Sequence, residues 1–310
     1  MNISAFIHPD DASALQTLRN IPIFPTVVEK ILQYGWEDLM WSENITTNIR
    51  LSEEQMPEIY KFLPPICKQL GIPIPELYLQ LSPIPNAWTS GHTRVYIVIT
   101  LGLIRRLSED ELKSVIAHEC GHILCEHVLY SMIADSIFNF GDFLMDSFLG
   151  QIGGLAMKPL KMALYSWQRA SELSADRVAT FITSSETLTT ALAKLDGVPR
   201  SLASTMNYKA WAKQGADYEA LKRGNSWNKV VRLLSNSGLD HPYGPVRAFE
   251  AMIWENSQHC KMLKEKSLPA LNTPQSVQPI ANPNNKVCPN CSASIASDWM
   301  FCKHCGYKLK

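Results

Sequence analysis

Residues 108–122 of the chain read SEDELKSVIAHECGH. The first four have the pattern of a capping box, in which the Ser108 hydroxyl accepts a hydrogen bond from one unpaired amide and Glu111 reaches back to another. An apolar-periodic run follows, so the pattern predicts a helix over residues 108–130. On that helix His118 and His122 are four residues apart. Both imidazoles therefore share one face, where a single zinc ion can bridge them.

The residue after His118 has the chemistry of a general base. From its position Glu119 can direct its carboxylate at a metal-bound water rather than at the metal. Catalytic zinc usually has three protein ligands and one water, so the motif predicts a third ligand elsewhere. His127 would lie about 180° round a continuous helix from His118. We therefore expect His127 to be packed or exposed to solvent rather than to bind the metal.

An acidic pair on a second predicted helix, residues 160–183, offers the third ligand. Glu172 and Asp176 are at positions i and i+4, so they share one helix face. Glu172 can bind the metal, while Asp176 can accept the free ring N–H of His118 and fix its tautomer. Without the two histidines, the same pair would be interpreted as part of a solvated helix face.

The remaining pattern predicts an α+β fold that is mainly helical. Helical periodicity interrupted by prolines covers residues 12–69. Runs rich in β-branched and aromatic residues predict two strands of a small sheet, at residues 77–81 and 95–100. Further helices are predicted at residues 188–193, 218–222, 229–234 and 246–264.

Composition and charge exclude several classes of protein. Lys plus Arg and Asp plus Glu both total 29, so no net field favours nucleic acid or an anionic membrane. The N-terminus lacks the pattern of a secretory signal, so we expect a cytoplasmic protein. No stretch of about 18 residues is both apolar and uncharged, so we expect no transmembrane segment. Residues 130–161 are apolar but interrupted by acids, and we expect a lid or hydrophobic subdomain over the cleft.

The eight cysteines fall into two groups. Four are scattered, and in a chain without a secretory signal we expect them to be reduced and buried: Cys67, Cys120, Cys125 and Cys260. The other four form two Cys-x-x-Cys pairs separated by ten residues: Cys288, Cys291, Cys302 and Cys305. Four thiolates at this spacing predict a closed structural zinc site.

The first set of motifs resembles the HtpX-like and CaaX-prenyl-protease-like zinc metallopeptidases, a gluzincin family with H-E-x-x-H followed by E-x-x-x-D on a later helix. The segment PNAWTSG at residues 85–91 is similar to the family's Asn-Ala-aromatic segment, and His241-Pro242 with Arg247 is similar to its late His-Pro…Arg motif. Tyr243 stands where the family has a second proline. The resemblance covers about residues 51–252 and implies a mainly helical gluzincin domain with a small sheet.

The resemblance also implies roles for individual residues. It implies a catalytic zinc ion held by His118, His122 and Glu172, with Glu119 as the base and Asp176 behind the ligands.

Three further residues are implied to bind substrate along an edge strand: Asn86, Ala87 and Trp88. His241 and Arg247 are implied to be catalytic residues near the site, with His241 placed to stabilise an oxyanion. Integral-membrane relatives have spanning helices where this chain has residues 130–161.

The domain organisation follows from these motifs. We expect a metallopeptidase domain at residues 1–265, a flexible linker at 266–286 and a zinc ribbon at 287–310. Residues 267–285 carry four prolines and no charge, which is typical of a linker. The ribbon is basic and aromatic enough for weak nucleic-acid contact, but we favour docking of a protein partner.

The sequence therefore predicts a zinc-dependent endopeptidase that hydrolyses peptide bonds of protein or peptide substrates, using metal-activated water and Glu119. It would contain one catalytic and one structural zinc ion. The alternative is a catalytically inactive, zinc-stabilised adaptor that acts through the ribbon.

Overall fold

The computed structural model describes residues 2–33, 35–144, 154–220 and 243–267, together with 286–287 and 294–295. The chain divides into two compact units, Met1–Ser267 and Leu268–Lys310. The first unit is mainly helical with a four-stranded sheet, which confirms the predicted fold class. In the second unit, the described part is an antiparallel pair of two-residue strands, Lys286–Val287 and Ser294–Ile295.

Helices make up most of the first 70 residues, as the periodicity of residues 12–69 predicts, with one strand between the third and the fourth. They are α1 (Pro9–Arg19), α2 (Phe24–Gln33), α3 (Trp36–Thr47), α4 (Pro57–Tyr60) and α5 (Leu63–Leu70). Prolines start these helices rather than interrupt them, since α1 and α4 both begin at a proline. A proline fits the first turn because its fixed φ is already helical and its missing N–H would have no partner there.

The sheet has the strand order β1–β2–β4–β3, so β3 is an edge strand. Its strands are β1 (Ile49–Leu51), β2 (Glu76–Gln80), β3 (Ala87–Ser90) and β4 (Tyr96–Thr100). β2 and β4 are parallel, while β1 and β3 pair antiparallel with their neighbours. β2 and β4 confirm the two predicted strands. No residue pattern predicted β1, and the resemblance alone implied β3, because both strands are too short for a clear alternation.

Helices α6 (Leu101–Arg106) and α7 (Glu109–Leu124) follow β4. The capping box of α7 is formed, with the Ser108 side chain accepting from the Glu111 amide and the Glu111 carboxylate accepting from the Ser108 amide. The predicted end of this helix, residue 130, is wrong. α7 ends at Leu124 because Glu126 adopts a left-handed φ of 61°, which a helix cannot accommodate. A new helix, α8 (Val128–Leu144), starts two residues later.

The long helix α9 (Gly154–Ile182) packs directly on α7. It starts six residues before the predicted residue 160 and contains Pro159. Gly121 permits the close approach of α7 and α9, because a Cβ at that position would lie 2.9 Å from the Ala175 Cα. This contact fixes the distance between the two helices that carry the candidate ligands.

The remaining helices complete the first unit. They are α10 (Ser185–Leu195), α11 (Arg200–Ala203), α12 (Tyr208–Ala220), α13 (Gly244–Asn256) and α14 (Gln258–Ser267). α10 confirms the prediction at 188–193, and α12 contains the start of the one at 218–222. The helix predicted at 229–234 lies outside the described residues. The single helix predicted at 246–264 is wrong, because the extended backbone of Ser257 separates α13 from α14.

Two hydrophobic clusters surround the helix pair α7–α9. The larger joins the sheet to α5, α7 and α10, and the second packs α2 and α8 around the fully buried Trp167. Cys67, Cys120, Cys125 and Cys260 are buried and free, which confirms the expectation for the scattered cysteines. None of the helices in the described ranges combines the length and hydropathy that a membrane span requires.

Candidate metal centre

Three side chains from two helices converge where α7 packs against α9. His118 and Glu172 are buried, and the side chain of His122 is 12% exposed. The Nε2 atoms of the two histidines are 3.2 Å apart. Carboxylate oxygens of Glu172 lie 3.4 Å from Nε2 of His118 and 3.3 Å from Nε2 of His122. The structure thus brings the three predicted ligand residues together.

These distances fit a tetrahedral metal ion. With metal–ligand bonds of about 2.0–2.1 Å, two ligand atoms of a tetrahedral zinc site lie about 3.3–3.4 Å apart. Two imidazoles and one carboxylate are also a donor set that catalytic zinc takes, and it leaves a fourth position open. In the part of the chain that the structure describes, this is the group of side chains whose spacing suits a metal ion.

A second acidic residue and an arginine contact the candidate ligands. Asp176 Oδ1 lies 3.0 Å from Nδ1 of His118, which leaves Nε2 of that ring for the metal. Arg247, on α13, donates to both carboxylate oxygens of Asp176 at 2.8 and 2.7 Å. Its Nη1 lies 2.9 Å from Oε2 of Glu172. Arg247 therefore ties the two carboxylates of α9 to α13.

The electrostatic environment favours positive charge between these groups. Burial by itself lowers the pKa of His118, but attraction by Glu172 and hydrogen bonds to Asp176 and Glu172 raise that pKa to about 10. Burial raises the pKa of Asp176, but the charge and hydrogen bonds of Arg247 outweigh it and lower the pKa. An ionised carboxylate pair around two imidazoles is the environment that a cation site requires.

The predicted base, Glu119, is buried next to the ligands on the same helix. The hydroxyl of Thr89 on β3 donates to Oε2 of Glu119 at 2.6 Å. This bond holds the Glu119 carboxylate in one orientation relative to the edge strand. Thr89 lies within the PNAWTSG segment, but no pattern indicated that its side chain would contact Glu119.

His127 is buried, so the expectation of a packed residue is confirmed. It does not lie on the far side of a helix, however. Because α7 ends before it, the ring folds back, and its Nδ1 lies 3.1 Å from Nδ1 of His122. Its Nε2 lies 2.9 Å from Oδ2 of Asp11 on α1. Asp11 has no local signal in the sequence, because its partner is 116 positions away.

Two cavities meet at the candidate ligands and share Asn86, Ala87 and Glu119. One, of about 200 Å³, has an apolar wall formed by Leu103, Val115, Leu188, Leu192 and Leu195. The other, of about 390 Å³, includes Trp88 and has a polar wall formed by Ser131, Asp135, Gln168 and Ser171. Of the predicted substrate residues, Asn86 and Ala87 therefore line both cavities, and Trp88 lines the second. α8 contributes part of the polar wall, in the region where a lid was expected.

The remaining predicted site residues lie outside the described residues. They are His241 and the four ribbon cysteines, Cys288, Cys291, Cys302 and Cys305.

Comparison with known proteins is consistent with this geometry. Residues 54–247 match peptidase family M48, and residues 287–309 match a zinc-ribbon domain. The plastoglobule-localized metallopeptidase 48, chloroplastic, of Arabidopsis thaliana is 32% identical over 267 residues, which cover 84% of this chain and 75% of that protein. A protease HtpX homolog of Pyrococcus abyssi is 27% identical over 197 residues, 56% of this chain and 63% of its own length.

A protease HtpX homolog of Pelotomaculum thermopropionicum is 38% identical over 93 residues, 29% of this chain and 33% of its own length. The match therefore spans about a third of that protein. No solved structure matches the chain. The M48 match includes both histidines of α7, the acidic pair of α9 and Arg247. The chain therefore belongs to peptidase family M48 and carries a zinc-ribbon domain near its C-terminus.

Proposed function

We propose that this chain is a zinc-dependent endopeptidase that hydrolyses internal peptide bonds of protein or peptide substrates. The observation that carries the proposal is the convergence of His118, His122 and Glu172 at tetrahedral spacing, with Glu119 held beside them by Thr89. Membership of peptidase family M48 supports a metallopeptidase, and the open cleft along β3 supports cleavage within a chain.

In the proposed mechanism, Glu119 moves the protons. When bound, a zinc ion would supply Lewis acidity to the scissile carbonyl and lower the pKa of a water molecule to about 7. Glu119 accepts a proton from the attacking water and then donates it to the leaving amine. Thr89 keeps the Glu119 carboxylate aimed at the cleft during both transfers. Asp176 and Arg247 position the ligands His118 and Glu172.

The substrate would bind as an additional strand. β3 is the edge of the sheet and lines both cavities, so the backbone of a peptide can pair with it at Asn86, Ala87 and Trp88. Main-chain pairing tolerates many sequences, while the cavities select the side chains. From the resemblance we also propose that His241 stabilises the oxyanion.

The ribbon would bind a second, structural zinc ion through Cys288, Cys291, Cys302 and Cys305. The match to a zinc-ribbon domain supports this assignment. We place the peptidase domain at residues 1–265 and the linker at 266–286. A ribbon on a flexible tether can dock a protein partner and raise its effective concentration at the cleft.

The test compares wild type with Glu119→Gln on casein and a peptide library, with zinc counted in both proteins. We expect two zinc ions per chain in each, with cleavage by wild type and a loss of nearly all cleavage in the variant. Cleavage by wild type should stop in the presence of a chelator and return when zinc is added. Equal activity of the variant would overturn the role of Glu119. Zinc binding without any cleavage by wild type would support the inactive adaptor instead.

A further inference from the structure

The metal ligand His122 is the end of a buried hydrogen-bonded chain that reaches the N-terminal helix. We propose that His127 and Asp11 are positioning residues for the metal, which hold His122 through a chain Asp11–His127–His122. This inference rests on the metal site of the proposed function. Asp11 and α1 lie outside residues 54–247, the part that matches the peptidase family.

The protons of this chain can be assigned from its geometry. Nε2 of His122 faces His118 and Glu172, so this nitrogen would bind the metal and the ring proton is then on Nδ1. That N–H donates to Nδ1 of His127 at 3.1 Å. The proton of His127 is then on Nε2, which donates to Oδ2 of Asp11 at 2.9 Å. Each neutral imidazole thus donates once and accepts or ligates once, and the chain ends on a carboxylate.

The backbone between α7 and α8 makes this chain possible. On a continuous helix, a residue five positions after His122 would be rotated by about 140° from it. The left-handed turn at Glu126 brings the ring of His127 back beside that of His122 instead. The amide of His127 also donates to the carbonyl oxygen of His122 at 2.9 Å. The His127 ring is therefore held in place by a backbone hydrogen bond and a side-chain hydrogen bond, both to His122.

Asp11 is itself held by the helix that carries the third ligand. Ser174, two residues after Glu172 on α9, donates its hydroxyl to Oδ2 of Asp11 at 2.6 Å. The amide of His8 donates to the Ser174 hydroxyl oxygen at 2.8 Å. The chain thus joins both ligand helices to α1. We therefore expect substitutions that remove a hydrogen bond of Asp11 to make the position of the His122 ring less fixed.

The side chains of Asp11 and His127 are shielded from water, so their hydrogen bonds must be made within the protein. Asp11 and His127 are each 1% exposed, and Trp167 places its ring edge-on against His127. A carboxylate at such depth is destabilising unless it is paired and hydrogen-bonded. Partners behind a ligating histidine fix its orientation and raise its basicity, and their loss typically lowers metal affinity about 10- to 100-fold.

The test measures metal affinity in the full chain. Zinc dissociation constants of wild type and Asp11→Asn are determined by competition with a chromophoric chelator, and Co²⁺ absorption distinguishes the His/Glu site from thiolate sites. We expect Asp11→Asn to weaken zinc binding at the His/Glu site about tenfold or more. Binding at the ribbon serves as an internal reference and should not change. Asp10→Asn, an exposed neighbour on the same helix, should behave as wild type.

A second variant keeps the inference testable if Asp11→Asn does not fold. Ser174→Ala removes one donor to Asp11 together with the acceptor of the His8 amide, so it should weaken zinc binding in the same direction but less. A folded variant of either kind with wild-type zinc affinity and an unchanged Co²⁺ spectrum would overturn the inference. This outcome differs from failure of the proposed function, in which wild type binds zinc at this site but cleaves no peptide.

Discussion

The hydroxyl of Thr89 donates a 2.6 Å hydrogen bond to Oε2 of Glu119, and the bond joins the edge strand β3 to helix α7. Both residues are buried, so the carboxylate cannot exchange this partner freely for bulk water. The strand on which substrate would pair therefore also orients the base that would act on it.

Loss of this hydroxyl should lower kcat. A hydrogen bond to a charged group contributes about 1.5–3 kcal/mol, which corresponds to roughly 10- to 100-fold in rate if the bond is needed in the transition state. We expect Thr89→Val to lower kcat by that amount with little change in KM or in zinc content. Thr89→Ser retains the hydroxyl and is the matched control. A lower kcat/KM with an unchanged kcat would show that Thr89 acts in substrate binding instead.

Removal of the Arg247 guanidinium should destabilise the first unit. The side chain is buried and pairs with the carboxylates of Asp176 and Glu172, so Arg247→Met leaves these two buried negative charges with His118 as the remaining cationic partner that they share. Breaking such a group costs about 3–5 kcal/mol. Urea unfolding followed by far-UV circular dichroism in the presence of a chelator measures this loss. Arg105 is exposed, so the control Arg105→Met should change stability little. Equal effects of the two variants would contradict a stabilising role of the ion pairs that Arg247 makes.

An alanine at position 121 should destabilise although it lies within a helix. In an unpacked helix, Gly→Ala stabilises by about 1 kcal/mol. Here the new Cβ would lie 2.9 Å from the Ala175 Cα and 3.0 Å from the Val178 Cβ, so α7 and α9 must separate. We expect Gly121→Ala to lose about 1–3 kcal/mol of stability. Because the same two helices carry the candidate ligands, zinc affinity should fall too. A gain in stability would show that the helices are free to separate.

The ion pair between Glu111 and Lys194 should make stability depend on pH. Burial raises the pKa of Glu111, but hydrogen bonds from Lys194 and the Ser108 amide outweigh it, so the pKa lies below its usual 4.5. The stabilisation is therefore fully present above about pH 4.5 and is lost as the pH falls through the lowered value. Glu111→Gln should cost about 1–3 kcal/mol at pH 7 and progressively less in acid.

The control for this experiment is Glu109→Gln in the same first turn. The Glu109 side chain is 77% exposed, so its loss should have little effect at any pH. Thermal unfolding of the three proteins between pH 3 and pH 7 gives the comparison. A Glu111→Gln deficit that stays constant down to pH 3 would show that the ion pair is not its cause.

The sequence predicted the parts of the site that depend on local spacing. The capping box follows from the spacing of Ser108 and Glu111, and the two histidines of α7 and the acidic pair of α9 follow from helical periodicity. The turn at Glu126 could not be predicted, because a left-handed glutamate has no glycine or asparagine signal. Thr89 and Asp11 were missed for another reason, since each contacts a residue at least 30 positions away and only the tertiary fold brings them together.

The two cavities predict which peptides the cleft accepts. The cavity with leucine and valine walls should take a large apolar side chain next to the scissile bond, because filling it removes apolar surface from water. The other cavity contains the Asp135 carboxylate and should disfavour an acidic side chain on the opposite side of that bond. Mass spectrometry of peptide-library products would reveal both preferences.

Variants of each wall separate the two preferences. Leu195→Phe narrows the apolar cavity, so the preferred side chain there should become smaller while the opposite side is unaffected. Asp135→Asn should instead relax the discrimination against acidic residues and leave the apolar preference intact. Leu202→Phe changes an exposed leucine that lines neither cavity and should cleave as wild type. If all three variants gave the wild-type product set, substrate would not occupy these cavities, because a side chain bound in either one must contact the altered wall.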